Sequence, residues 1–345
     1  MHIAKQAILG KWYEYTLIND QGMSISILDF GGIITKIRVP NRSGKSENVV
    51  IGYEDYADYE DNPNFFGALI GPVAGRIQHA SFELDGDTYQ LEANEGSHHL
   101  HGGSAGFHQV IWQVEAFQTD KSVGLELSHT RADGTNGYPG NLDVTVTYTL
   151  TNDNKLAIDY QATTDKPTPL ALTNHTFFNL SGDLKHTVHN HEITMDSSHF
   201  LELDQELIPT GRKLNLLGTS FDFRQSRELA EGLNQDSEQH QIADNGYDHY
   251  FIFDKKGKVV VREGNSGRVL TIQTTQPGMV MYTANGLEQD LELAERLSEK
   301  YLGVCFETQG DLASLHHSDI PSVIVKAGEP YHHKTVFSFD IDNKL

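Results

Sequence analysis

Asp143-Val-Thr-Val-Thr-Tyr-Thr-Leu150, then Asn152-Asp-Asn-Lys155, then Leu156-Ala-Ile-Asp-Tyr160 decides the fold. Apolar side chains return at every second position on both sides of a polar turn, the period of a strand with one buried face. The unit reads as an antiparallel hairpin. Phe82-Glu-Leu84 and Tyr89-Gln-Leu91 around Asp85-Gly-Asp87 repeat the pattern, as do Val259-Val-Val-Arg262 and Val269-Leu-Thr-Ile272 around Gly264-Asn-Ser-Gly267. The 31 glycines supply turns throughout. Helical spacing is convincing only at Leu287, Leu291 and Ala294, with Arg296 and Lys300 towards the end, and a short helical turn is expected within Ser226–Leu233. No Pro- or Ser-rich linker and no fixed-period repeat divides the chain. Hairpins without crossover helices argue against a parallel α/β fold. The expectation is all-β: one large antiparallel β-sandwich domain spanning 1–345, with a few short helices.

Composition narrows the function. A formal net charge of −22 disfavours nucleic acid, which is bound by clustered Lys and Arg. The apolar runs are too short to cross a membrane as a helix, and the first residues lack the layout of an export signal. Cys305 is the lone cysteine, so no intramolecular disulfide can form, and a cytoplasmic location is expected.

Chemistry enters where polar residues interrupt apolar strands. In Gly303-Val-Cys-Phe-Glu-Thr-Gln-Gly310, counting by two sends Leu302, Val304 and Phe306 to one face and Gly303, Cys305 and Glu307 to the other. A desolvated carboxylate costs several kcal/mol unless paired or used. Glu307 is therefore a site candidate or half of a buried ion pair. Gly71-Pro-Val-Ala-Gly-Arg-Ile77 places Arg76 among small residues, where its planar fork can grip ligand oxygens or satisfy loop carbonyls. In Asn94-Glu-Gly-Ser-His-His-Leu-His-Gly-Gly103, His99 and His101 share one strand face and could start a metal site. No third ligand follows with convincing spacing, so a His that hydrogen-bonds a ligand is the better reading. Ala171-Leu-Thr-Asn-His-Thr-Phe-Phe-Asn-Leu180 puts Thr173, His175 and Phe177 on one face. Asp248 opens the apolar strand Tyr250–Phe253, as a turn cap or a ligand contact. His98, His186, His189, His191, His316, His317, His332 and His333 read as solvated.

Together these segments resemble the aldose 1-epimerase family. The matching motifs are Gly71-Pro-x-x-Gly-Arg-Ile77, Asn94-Glu-Gly, Leu100-His-Gly-Gly103, Asp133-Gly-x-x-Gly-Tyr-Pro-Gly140, Asn174-His-x-x-Phe-Asn-Leu180, Asp248-His249, Thr275-Gln-Pro-Gly278 and Phe306-Glu-Thr-Gln309, in the family's order up to Lys326–Tyr331. The resemblance implies a large β-supersandwich that interconverts the α and β anomers of free sugars such as galactose and glucose without a cofactor. It makes Glu307 the general base and His175 the general acid, and it makes Arg76, His101, Asp248 and Gln276 sugar contacts. Gly75 stands where many members carry Asn, and Phe177 where members often carry Tyr; both bear on sugar preference.

Such chemistry removes the proton of the C1 hydroxyl while protonating the ring oxygen, rotates C1–C2, and recloses with the roles exchanged. A buried Glu and a His are suited to that two-way exchange near neutral pH. Neither metal nor nucleotide is needed, and no P-loop or dinucleotide fingerprint is present. A hexose 6-phosphate epimerase, a non-catalytic carbohydrate-binding sandwich and a cupin-like metal enzyme are the competing expectations. Oligomeric state is left open between monomer and homodimer.

Overall fold

The computed structural model describes residues 1–233, 237–255 and 257–342. The hairpin expected around Asn152–Lys155 is present. Leu142–Thr151 pairs with Lys155–Thr164, and Leu150 faces Leu156 across the turn. Leu142, Val144, Val146, Tyr148 and Leu150 are buried while the residues between them are half-buried or exposed, so one face of this hairpin is core. The Ser81–Leu84 and Gly257–Glu263 hairpins also form, with Asp87–Gln90 and Arg268–Thr274 as partners.

The described strands pair antiparallel into three larger sheets. Nine strands run from Gln113–Gln118 through the first hairpin and the C-terminal Tyr331–Ile341 to Arg227–Glu228. Five make an N-terminal meander from His2–Ile8 to Ser46–Asn48. Six form the sheet that matters for function, in the order Phe177–Phe178, Val304–Gln309, Gly278–Tyr282, Asp248–Phe253, Ser197–Leu203, Pro209–Asn215. One face of this sheet packs Phe251, Met279, Met281, Val304 and Phe306 against Val146, Ile158, Leu270 and Phe337 of the nine-stranded sheet in a single apolar cluster. Two sheets sharing one core make a sandwich, as expected.

Two local expectations are corrected. The spacing around Leu287–Lys300 does not produce a helix. That segment folds into turns closed by bonds such as Asp290 N–H to Ser298 O at 3.1 Å and Leu293 N–H to Arg296 O at 3.2 Å, while Ala294 N–H reaches out to Gly52 O at 2.9 Å and Leu293 bridges to Tyr53. Leu287 buries in the second apolar cluster and Leu291 packs against it, so those apolar positions were answered by tertiary packing rather than by a helix. Leu302 joins that same cluster instead of the core beneath Val304 and Phe306, because it precedes the strand. The short helix foreseen within Ser226–Leu233 does occur, at Leu229–Leu233. A further one at Glu238–Ile242 follows Ser237, whose side chain accepts from His240 N–H.

A buried ion cluster links the sheets. Arg268 NH2 lies 2.7 Å from Glu47 Oε2, each side chain only 1% exposed. Lys185 and Lys45 hold the other oxygen of Glu47 at 2.5 and 2.8 Å. Despite burial, these cations hold the Glu47 carboxyl down to about 2.

Candidate active site

Register across the six-stranded sheet assembles a functional surface. Asp248 faces Tyr282, Tyr282 faces Cys305, and Cys305 faces Phe177, so four strands contribute one row. Tyr250, Val280 and Glu307 form the next row, and Ile252, Gly278 and Gln309 the third. Residues two apart share a face, so all three rows lie opposite the core. A cleft of about 330 Å³ opens above them, within the range of small-ligand sites.

Loops supply the roof. The strand expected to carry Thr173, His175 and Phe177 is broken in two: Thr173–Asn174 pairs with Leu69–Ile70, and Phe177–Phe178 with Val304–Cys305. His175 sits in the gap. Its backbone N–H donates to Ala68 O at 2.9 Å and its carbonyl accepts from Gly67 N–H at 3.1 Å. Held this way, His175 Nε2 lies 3.5 Å from Glu307 Oε1, with both side chains buried. Nδ1 of His175 lies 3.5 Å from the Cys305 sulfur. The rings of Phe65, at 5.9 Å, and Phe177, at 5.0 Å, flank the imidazole.

Gly75 and His101 are tied twice. Gly75 N–H donates to His101 Nδ1 at 3.0 Å, and His101 N–H donates to Gly75 O at 3.2 Å. Gly75 has φ +95°, and a Cβ there would come within 3.0 Å of Leu312; glycine is the residue this conformation favours. The first of these bonds fixes the tautomer of neutral His101, with the proton on Nε2 and the ring facing the cleft as a donor.

His99 and His101 do not share a strand face as expected. The strand ends at Leu100, and His101 turns away with φ 52°. His99 is held inside by Glu92 O at 2.7 Å and the Tyr138 hydroxyl at 2.8 Å. The donor atoms of His101, His175 and Glu307 do fall within 4.8 Å of one another. His101, however, has its lone pair on Nδ1, occupied by Gly75 N–H. It presents a hydrogen where a metal needs a lone pair, and the trio suits a hydroxylated ligand instead.

Arg76 enters from the opposite wall. Its Nε and NH2 grip Glu95 at 2.8 and 3.0 Å, and NH1 lies 3.4 Å from Asp248. Of the remaining candidates, Asp248, Gly75 and Phe177 line the cleft, but Gln276 does not. Its amide donates to the Tyr331 hydroxyl at 3.2 Å, in a separate depression beside Pro277 and Val323. The reason is register: Gln276 precedes the strand that begins at Gly278, and Val280 takes the place facing Glu307. The sequence reading assigned no role to Phe65, Glu95, Tyr282 or Gln309. Gln309 carried a signal, since it lies two residues after Glu307 on the same strand; Tyr282 had no marked neighbour, and Phe65 lies in a loop. Two histidines read as solvated are buried: His98 accepts from His79 N–H at 3.1 Å and His191 from Leu180 N–H at 2.8 Å.

Burial sets the electrostatics. It pulls the His175 imidazole down to about 4, and it pushes the Glu307 carboxyl well up, helped by the nearby Asp248 and opposed by Arg76. His101 is pulled well below its ordinary value by burial, then by His175 and Arg76. Asp248 is raised by burial against the pull of Arg76. In the empty cleft, burial thus works against the charged form of both groups, carboxylate and imidazolium alike.

Comparison with known proteins bears on this geometry. The aldose 1-epimerase family profile matches residues 13–338. Galactose mutarotase of Sus scrofa is 38% identical over 333 residues, 95% of this chain and 94% of that protein. Aldose 1-epimerase of Escherichia coli is 34% identical over 331 residues and maltose epimerase of Levilactobacillus brevis 34% over 329, each covering 94% of both chains. Among solved structures, a GalM/aldose epimerase homologue from C. elegans superposes with a TM-score of 0.86 at 28% identity over 99% of this chain and 100% of its own. A galactose 1-epimerase from Lactobacillus acidophilus gives 0.86 at 26%, over 99% of each chain. Family profile, sequence and overall fold therefore agree along almost the whole length, and the chain belongs to the aldose 1-epimerase family.

Proposed function

We propose that this enzyme interconverts the anomers of free aldoses, D-galactose and D-glucose among them, with Glu307 and His175 as its two proton carriers. The observation that carries the reading is the 3.5 Å approach of His175 Nε2 to Glu307 Oε1 on the floor of a cleft that otherwise buries them. With the C1–O5 unit of a pyranose between the two groups and their shared proton on His175, the Glu307 carboxylate takes the proton from the C1 hydroxyl as the His175 imidazolium protonates O5. The C1–O5 bond breaks, leaving an open-chain aldehyde, a protonated carboxyl and a neutral imidazole. Rotation about C1–C2 exposes the other carbonyl face. O5 then attacks C1, returning its proton to His175 while the carboxyl protonates the new C1 hydroxyl. Protons balance over the cycle, and no group or electron leaves the sugar.

The walls suit the rest of a sugar. His101 donates from Nε2, and the Asp248 carboxylate, steadied by Arg76, accepts hydroxyl hydrogens. The Phe65 and Phe177 rings offer apolar faces to ring carbons. A hexose 6-phosphate is disfavoured: Arg76 is the one cation lining the cleft among the described residues, and it already faces two carboxylates. A purely binding sandwich has no use for an acid and a base at this distance. Among the described residues no helix is long and apolar enough to cross a membrane. We place the enzyme in the cytoplasm, working as a single domain in a monomer or homodimer. Polarimetry on freshly dissolved α-galactose and α-glucose tests the function: the enzyme should speed the approach to anomeric equilibrium for both, and a rate equal to buffer for both would overturn it.

A further inference from the structure

Cys305 and Glu307 stand two residues apart on the Val304–Gln309 strand, on the same face, and both reach one imidazole. Glu307 Oε1 lies 3.5 Å from Nε2 of His175, and the Cys305 sulfur lies 3.5 Å from Nδ1. A single strand therefore sets a partner at each nitrogen of the ring. The proton transfers proposed above use Nε2 alone, yet the state of Nδ1 decides what Nε2 can do. A neutral imidazole carries its one proton on either nitrogen. Once His175 has given its Nε2 proton to O5, the remaining proton has to stay on Nδ1. Were it to move to Nε2, the ring could not take the sugar proton back at closure.

The surroundings leave few acceptors for Nδ1–H. The Phe65 and Phe177 rings flank the imidazole, and the rings of His101 and Tyr282 stand edge-on at 5.3 and 6.5 Å. His108 lies behind Phe65 and acts on His175 only through its charge. The His175 carbonyl is close to its own ring, but it already accepts from Gly67 N–H at 3.1 Å. Among the described residues, Cys305 is the one side chain within hydrogen-bonding distance of Nδ1. Burial, helped by Glu307 and Asp248, pushes its thiol well up, so the sulfur is neutral. It can accept Nδ1–H in both protonation states of the ring. It also brings no negative charge. A carboxylate in its place would favour the imidazolium, whereas burial pulls His175 down to about 4.

We propose that Cys305 is a positioning residue for the acid: its sulfur accepts the hydrogen of His175 Nδ1 and so keeps Nε2 as the nitrogen that gives and takes the sugar proton. The inference rests on the acid–base reading above. It adds a residue that does not itself line the cleft and acts through His175.

The ring nitrogens can be read directly. With isotope-labelled histidine and nitrogen NMR at neutral pH, His175→Asn identifies the His175 signals. Nδ1 in the wild type should then show the shift of a protonated ring nitrogen. An unprotonated Nδ1 there overturns the proposal without any Cys305 variant. Cys305→Ala should move that proton partly to Nε2 and lower kcat on α-galactose about 3–10-fold, the worth of one modest hydrogen bond, at little-changed KM. Cys305→Ser, which supplies an acceptor again, should recover part of the loss in both readouts. A sulfur that merely fills space gives the reverse order, because a buried hydroxyl costs more than a methyl. Ser below Ala in kcat, a loss confined to KM, or an Ala variant within about twofold of wild type with Nδ1 still protonated each overturns the proposal. A wild type no faster than buffer overturns the acid–base reading instead, and the nitrogen shifts still decide whether the sulfur holds Nδ1–H.

Discussion

Replacing Glu307 by Gln removes the carboxylate while leaving its shape, and the structure limits how well the cleft can compensate. The nearest alternative base on the sheet is Asp248, two strands away and one row off in register, a lateral separation of about 10 Å. It is also engaged by Arg76 at 3.4 Å. No group can then take the C1 proton in place of Glu307, and the expected loss in kcat is on the order of 10²–10⁴-fold, or about 2.7–5.4 kcal/mol of transition-state stabilisation. KM should change little, because Gln keeps the size and polarity of the side chain and the lost proton transfer acts in the transition state. Thermal stability should be equal or higher, since a buried ionisable acid gives way to a neutral amide. Polarimetry on fresh α-galactose across a range of concentrations, with thermal melts on the same preparations, reads all three quantities. A Gln variant within tenfold of the wild-type kcat would refute the assignment of the base, and a large KM increase at unchanged kcat would make Glu307 a binding residue.

His175→Asn should lower kcat by on the order of 10²-fold or more with little change in KM, since a proton donor acts in the transition state; an effect confined to KM would demote it. Arg76→Ala leaves Asp248 and Glu95 without their cation, so KM for glucose should rise by the equivalent of roughly 1–3 kcal/mol, and unchanged KM would make Arg76 purely structural. The kcat/KM profile should be bell-shaped, because the pair works with one proton: the acid limb falls as a second proton reaches His175 near about 4, and the alkaline limb lies at the raised value of Glu307. An acid limb near the ordinary histidine value would contradict the burial argument. Glu47→Gln should cost about 3–5 kcal/mol in urea unfolding, because Arg268 is left buried and short of its charge partner. The wild-type Glu47 contribution is complete above the ordinary carboxyl value of 4.5 and disappears as pH falls towards about 2.

Strand alternation was legible because it depends on one physical fact: successive side chains fall on opposite faces. That sufficed for the Leu142–Thr164 hairpin and for Glu307, whose position among Val304 and Phe306 conflicts with burial unless the opposite face is a site. Alternation does not carry register, and Gln276 shows the difference. It stands in a motif beside a site strand, yet it lies before the paired residues begin and turns its amide to Tyr331. Val280, unremarkable in the sequence, faces Glu307. Pairing between distant strands selects which residue stands over the cleft, and a single chain without its partners does not encode that in any local pattern.

The same reasoning explains why the histidines divided as they did. His101 and His99 are two residues apart, and on an uninterrupted strand they would share a face. The positive φ of His101 removes it from that geometry, and Gly75 N–H then decides which nitrogen faces the ligand. The contact that turns a candidate metal ligand into a hydroxyl donor is a backbone amide of a residue twenty-six positions away. Such a bond is invisible in side-chain identity, because any residue but proline carries the same N–H; what the sequence did offer was Gly75 itself, at a position where φ +95° excludes most alternatives. Glycine at this point therefore has a chemical consequence beyond the turn it permits: Gly75→Ala should disturb the His101 tautomer, and with it KM, before it disturbs the fold.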